Sequence, residues 1–89
     1  MLEITVRYDT DADVLYLALG RPVPAETDED DDGLLVRYAL DDGHPCGVTV
    51  LGFASGGWNH DLDRLSRIVG KHLKMTAQTV QTALRHAVH

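Results

Sequence analysis

The spacing of apolar residues changes once along the chain, and this change restricts the fold more than any other feature. From Ile4 to Tyr8, and again in later short runs, apolar residues alternate with polar ones, which is typical of half-buried strands. After Gly56-Gly57 they recur every three or four residues, which is typical of amphipathic helices. The sequence therefore predicts an α+β fold with a strand half, residues 1–54, and a two-helix tail, residues 55–89.

The strand half predicts a four-stranded antiparallel β-meander. Four runs rich in apolar residues, 2–8, 14–19, 34–40 and 48–53, are separated by residues that favour turns. Short connections of this kind favour antiparallel neighbours with one face covered by other elements. We expect the core to include Ile4, Val6, Tyr8, Leu15 or Tyr16, Val36, Tyr38, Val48, Val50, Leu65, Val69, Val80 and Leu84.

Charge is divided unevenly between the two halves. Residues 1–54 carry twelve acidic and three basic side chains, a net charge of −9, whereas residues 55–89 carry two acidic and five basic ones, a net charge of +3. The whole-chain net charge of −6 therefore argues against nucleic-acid binding by the strand half, but not by the tail. An asymmetry of this size indicates different partners for the two halves.

The acidic charge is concentrated in one segment, where six of the seven residues from Glu26 to Asp32 are acidic. We expect a solvated loop, because like charges repel one another. Such a loop can steer towards a basic surface of a partner protein, and the alternative is a loop without a partner. The candidate partner-binding residues are Glu26, Asp28, Glu29, Asp30, Asp31 and Asp32.

The same segment resembles the first half of a calcium-binding loop. Asp28, Asp30 and Asp32 alternate ahead of Gly33, but the twelfth position, which requires a bidentate Glu, is Ala39. We therefore predict no metal site. No cofactor is expected either.

Two sequence patterns in the strand half are distinctive: Tyr8-Asp9-x-x-Ala12-Asp13-x-Leu15-Tyr16, and Asp41-Asp42-Gly43 followed by Gly47-Val48-x-Val50-Leu51. With these patterns the chain resembles, over residues 2–53, a small bacterial family called domain of unknown function 2283. No catalytic activity is established for the family, and its members look like companions of small ribonuclease-type toxins. The resemblance thus implies an antitoxin that binds a basic toxin protein. The acidic segment and the helical tail depart from the usual short form.

The tail has the spacing of a helix-turn-helix. Asn59 is expected to cap the first helix and Thr76 the second, with Gly70 where the helices cross. Lys74 stands where the turn usually has glycine, at a cost of about 1 kcal/mol if the backbone is left-handed there. Candidate residues for base edges and phosphates of double-stranded DNA are Arg67, Lys71, Lys74, Thr76, Gln78, Gln81, Thr82 and Arg85.

The tail also permits a plain helical hairpin that covers the sheet and contacts no DNA. Helix-turn-helix proteins usually pair to reach two half-sites, so we expect a homodimer. A structural or regulatory homodimer without a nucleic-acid role is the second hypothesis. An enzyme ranks last, because no nucleophile and base converge.

Two further features concern the environment of the protein. The single cysteine, Cys46, excludes an internal disulfide and fits a reducing cytoplasm. No apolar run approaches the roughly 18 residues of a membrane span. We therefore expect a cytoplasmic interaction protein of the antitoxin type.

Overall fold

The computed structural model describes residues 3–87, and Met1, Leu2, Val88 and His89 lie outside the described residues. An antiparallel sheet is followed by two helices, as the sequence predicts. The strands are Ile4–Asp9 (β1), Val14–Leu19 (β2), Ala25–Glu29 (β3), Leu35–Ala39 (β4) and Pro45–Leu51 (β5). A 3₁₀ turn, Trp58–His60, precedes helices Leu62–Leu73 (α1) and Ala77–Ala87 (α2). Within residues 3–87, neither helix is long and apolar enough to cross a membrane.

The sheet corrects two predictions. It has five strands rather than four, because the acidic segment that we expected to be a loop begins as strand β3, hydrogen-bonded to β4. The order β1-β2-β5-β4-β3 is not a meander, since β5 lies between β2 and β4. Residues 20–24 span about 16 Å when extended, enough to cross the roughly 14 Å from β2 to the far edge. At that edge the acidic side chains stay hydrated while the backbone pairs with one neighbour.

The core lies between one face of the sheet and the two helices. Alternate residues of the central strands, among them Leu17 and Val48, are buried against residues such as Val69 of α1 and Leu84 of α2. Of the predicted core residues, eight are buried: Leu15, Val36, Val48, Val50, Leu65, Val69, Val80 and Leu84. The others are half-buried: Ile4, Val6, Tyr8, Tyr16 and Tyr38. Six further buried hydrophobic residues were not predicted: Leu17, Leu34, Ala39, Cys46, Phe53 and Leu73.

One predicted helix cap is correct and one is wrong. Asp61, and not Asn59, caps α1 by accepting a hydrogen bond from the Arg64 N–H at 3.4 Å. Asn59 instead lies in the 3₁₀ turn, which delays the start of α1. Thr76 caps α2 as predicted, with its Oγ1 accepting from the Thr79 N–H at 3.2 Å.

The turn between the helices is tight, and two residues show why. Lys74 adopts the left-handed conformation, with φ 58° and ψ 45°, at the end of α1. A Cβ atom on Gly70 would lie 2.6 Å from the Met75 carbonyl oxygen, so only glycine fits there without a shift of the backbone. The predicted close approach at Gly70 is confirmed.

Candidate partner-binding surface

Three of the six candidate partner-binding residues lie on β3, an outer strand of the sheet. Glu26, Asp28 and Glu29 are all exposed. Glu26 and Asp28 are in register with Tyr38 and Val36 and therefore lie on the helix side, whereas Glu29 lies on the opposite face. Because β3 pairs with β4 alone among the strands of residues 3–87, its other edge presents backbone N–H and C=O groups to solvent. We call β3 with its exposed edge the acidic edge.

The turn after β3 holds the other three acidic residues, and two of them contact α1. The Asp30 carboxylate accepts from the Leu34 N–H at 2.8 Å and the Asp32 N–H at 2.9 Å, and it contacts His72 Nε2 at 2.8 Å. Asp32 pairs with Arg64 at 3.0 Å. The acidic strand half and the basic tail therefore bind each other here, and part of the charge asymmetry is neutralised within the chain.

The Asp30 carboxylate is largely covered and acts as an acceptor rather than a free charge. Only 11% of its side chain is exposed. Burial raises the pKa of Asp30, but the hydrogen bonds from Leu34, His72 and Asp32 outweigh this effect and hold the pKa below its ordinary value. The carboxylate fixes the turn against α1, and the charges left for a partner are those of the acidic edge and of exposed Asp31.

The candidate DNA-binding residues lie on α1, in the turn and along α2. All are exposed except Gln81, which is half-buried. A shallow groove with a cavity volume of about 360 Å³ is lined by Asp63, Ala77, Gln78, Gln81, Thr82 and Arg85. The Asp63 carboxylate in this groove pairs with Arg67, which opposes the approach of a phosphate.

Ion pairs reduce the positive charge that the tail can offer to DNA. Arg64 and Arg67 are paired with acidic residues. Lys71, Lys74 and Arg85 form no ion pair within residues 3–87. Three cations are few for a protein that relies on phosphate neutralisation, since affinity rises with the number of phosphates contacted.

A second carboxylate, Asp13, joins the β1–β2 hairpin to the segment after β5. It accepts hydrogen bonds from the Tyr8 hydroxyl at 2.7 Å, the Ala54 N–H at 2.8 Å and the Ser55 N–H at 2.9 Å. The donors at Ala54, Tyr8 and Ser55 hold the pKa of Asp13 well below its ordinary value, and the same contact raises the pKa of Tyr8. Because these donors surround the carboxylate, its role is structural.

Asp41, Asp42 and His44 bring ligand atoms within 4.8 Å of one another in the turn before β5, and all three are exposed. The Asp42 carboxylate accepts from the His44 N–H at 3.0 Å and also contacts the His44 ring. These hydrogen bonds hold the pKa of Asp42 below its ordinary value. These hydrogen bonds stabilise the turn, and they explain why the three side chains lie close together.

The Tyr8–Asp13 contact and the strands around it lie in the part of the chain that matches a known family. Residues 5–53 match the family described as "Protein of unknown function (DUF2283)". The chain belongs to this family. The DUF2283 match begins in β1 and ends just after β5, so it includes the acidic edge and stops before the helices. No curated protein and no solved structure matches the chain.

The residues of the tail that contact the acidic segment were not predicted from the sequence. Arg64 and His72 lie 32 and 42 positions from their acidic partners, so no local motif marks them. The only signal was the opposite net charge of the two halves, which also fits contacts between them. Tyr8 was predicted as a core residue, and its hydroxyl contact with Asp13 was missed.

Proposed function

We propose that this DUF2283 protein is an interaction module of the antitoxin type whose acidic edge binds a basic protein. The observation that carries the proposal is the position of Glu26 and Asp28, which are exposed on an outer strand with one unpaired side. The resemblance to a family whose members look like companions of ribonuclease-type toxins also supports a basic partner.

The acidic edge offers a basic segment two kinds of contact. An extended segment of the partner can add to the free side of β3 through backbone hydrogen bonds. Lysine or arginine side chains on that segment can then contact Glu26 and Asp28. The acidic charges also speed association with a basic surface and suppress pairing with a second acidic strand.

Co-expression with the product of the adjacent reading frame tests the proposal. The variant Glu26→Lys/Asp28→Lys reverses two charges on the acidic edge. Asp11→Lys/Asp41→Lys makes the same change in net charge at exposed acidic residues outside β3. We expect the partner to co-purify with the wild type and with the control, and to be lost from the β3 variant.

Two outcomes would count against this proposal. If the wild type retains no basic protein, the partner assignment is wrong. If both charge-reversal variants lose the partner equally, the attraction depends on net charge alone and the acidic edge has no special role.

The binding of operator DNA by the tail is a second candidate. Its support is that Gln78, Thr82 and Arg85 are exposed rather than packed on the sheet. With three unpaired cations, the slope of log affinity against log salt should be about −3. A gel shift on upstream DNA tests this, comparing the wild type with Gln81→Ala/Arg85→Ala. No salt-sensitive shift at micromolar protein would contradict it.

A further inference from the structure

The sheet face opposite the helices carries an ordered row of side chains. The strand registers align Arg7 with Tyr16, Tyr16 with Thr49, Thr49 with Leu35, and Leu35 with Glu29. Because directly opposed residues share a face, these five side chains cross the whole sheet in one line. The row is basic at the β1 edge, acidic at the β3 edge and uncharged between them. We call this surface the open face.

The middle of the open face consists largely of uncharged, half-buried side chains. Tyr16, Leu35 and Thr49 are half-buried and lie on the face opposite α1 and α2. Arg7 lies over the Tyr16 ring at 4.8 Å. A Cβ atom on Gly47 would lie 3.8 Å from Arg37 Cδ, so the Arg37 stem lies along the sheet. Leu51, at one end of the face, is 56% exposed.

Three charged side chains on the open face form no ion pair within residues 3–87: Arg7, Arg37 and Glu29. Glu3 and Asp9 flank Arg7 on the same face of the sheet. Along the row itself the two ends carry opposite unpaired charges, so the row is complementary to a second copy whose β1 end lies over its β3 end.

We propose that the open face is the interface between two copies of this chain, related by a twofold axis parallel to β5. This rotation places β1 of each copy over β3 of the other. Arg7 then faces Glu29 of the second copy, Tyr16 faces Leu35, and Thr49 faces its own equivalent on the axis. The inference goes beyond partner binding by the acidic edge and is independent of it, because Glu26 and Asp28 lie on the helix side of the sheet.

Charge selects this arrangement over the other face-to-face twofold. An axis perpendicular to the strands would place Arg7 over Arg7 and Glu29 over Glu29, and like charges opposed in an interface suppress association. In the chosen arrangement Arg37 faces Ala18. The Cα atom of Glu3 in the second copy then lies about 13 Å from the Cα atom of Arg37, if the two sheets pack about 10 Å apart. The two long side chains can span that distance.

The size of the face sets the expected strength. Five strands about 4.8 Å apart and about six residues long give a face of about 24 by 20 Å. Two such faces bury about 1,000 Å², at the lower end of specific interfaces. We therefore expect a dimer that dissociates in the range of tens of micromolar, and sedimentation equilibrium of the full chain from 1 to 300 µM measures this directly.

Charge exchange tests the orientation. Arg7→Glu and Glu29→Arg should each raise the dimer dissociation constant about tenfold, because two symmetry-related pairs change from attraction to repulsion. The wild-type dissociation constant should return in the double variant Arg7→Glu/Glu29→Arg. It should also return in an equimolar mixture of the two single variants. Arg21→Glu makes the same charge change at an exposed residue off the sheet, and should leave the dimer intact.

A wild type that stays monomeric at 300 µM would overturn this inference. A dimer that neither single variant weakens would overturn it as well, and so would a double variant as weak as the single ones. Circular dichroism melts of each variant establish that the compared chains are folded. Loss of co-purification in Glu26→Lys/Asp28→Lys with an intact dimer separates this result from the proposed function.

Discussion

Replacing Lys74 with glycine should stabilise the protein, against the usual effect of glycine. Lys74 ends α1 in the left-handed conformation, φ 58°, and its N–H bonds to the Gly70 carbonyl oxygen. A left-handed backbone brings the Cβ of an L-residue close to its own carbonyl oxygen, at a cost of about 1–2 kcal/mol. Glycine removes this cost and keeps the hydrogen bond.

The expected gain follows from two opposing effects. Glycine loses about 0.5–1 kcal/mol more conformational freedom on folding than a residue with a side chain. The net stabilisation should therefore be about 0.5–1 kcal/mol, which for a domain of this size raises Tm by about 3–6 °C. Lys74→Ala removes the charge but keeps the strained backbone, so it should not stabilise.

Urea unfolding followed by circular dichroism measures these differences. Lys71→Gly is the matched control, because Lys71 is exposed within α1 and glycine there should cost about 1 kcal/mol. The two glycine substitutions, three residues apart, should thus have opposite signs. A Lys74→Gly variant that is destabilised as much as Lys71→Gly would show that the turn is not left-handed at Lys74.

Three other predictions concern stability. Gly70→Ala should destabilise by about 1–3 kcal/mol in urea unfolding, since its Cβ would meet the Met75 carbonyl oxygen; an unchanged or higher stability would contradict the tight turn. Asp30→Ala should cost about 2–3 kcal/mol by leaving the Leu34 N–H and His72 without their acceptor, while Asp31→Ala, at an exposed position, should stay within about 0.5 kcal/mol. Asp13 has a pKa below its unfolded value of 3.8, so its contribution is complete above that value and lost as pH falls through the folded pKa. Asp13→Asn should therefore flatten the fall in Tm below about pH 4, and a fall as steep as in the wild type would refute the Asp13 contacts.

Periodicity was sufficient to predict both helices, four of the strands and most of the core. These elements each bury a face, and the burial leaves a pattern such as the alternation from Ile4 to Tyr8 or the spacing of Leu65 and Val69. Thr76 and Gly70 were also predictable, because capping and close helix approach restrict the residue types that fit.

The missed features depend on contacts between distant residues. Strand β3 buries almost nothing, so no apolar pattern marks it, and its acidic residues resemble a solvated loop. The strand order depends on how far residues 20–24 reach, which composition does not reveal. Asp30 and His72 meet only after the sheet and α1 pack together. That contact divides the acidic segment into a partly buried acceptor, Asp30, and an exposed edge.

The central claim is that the acidic edge binds a basic protein, and an NMR titration tests it most directly. Isotope-labelled chain is titrated with the unlabelled product of the adjacent reading frame, and backbone amide shifts are followed. The account predicts the largest changes at Ala25–Glu29 and at Asp31, with salt weakening the binding and the outward residues of α2 unaffected. Changes centred on Gln78, Thr82 and Arg85, or no changes at all, would contradict it.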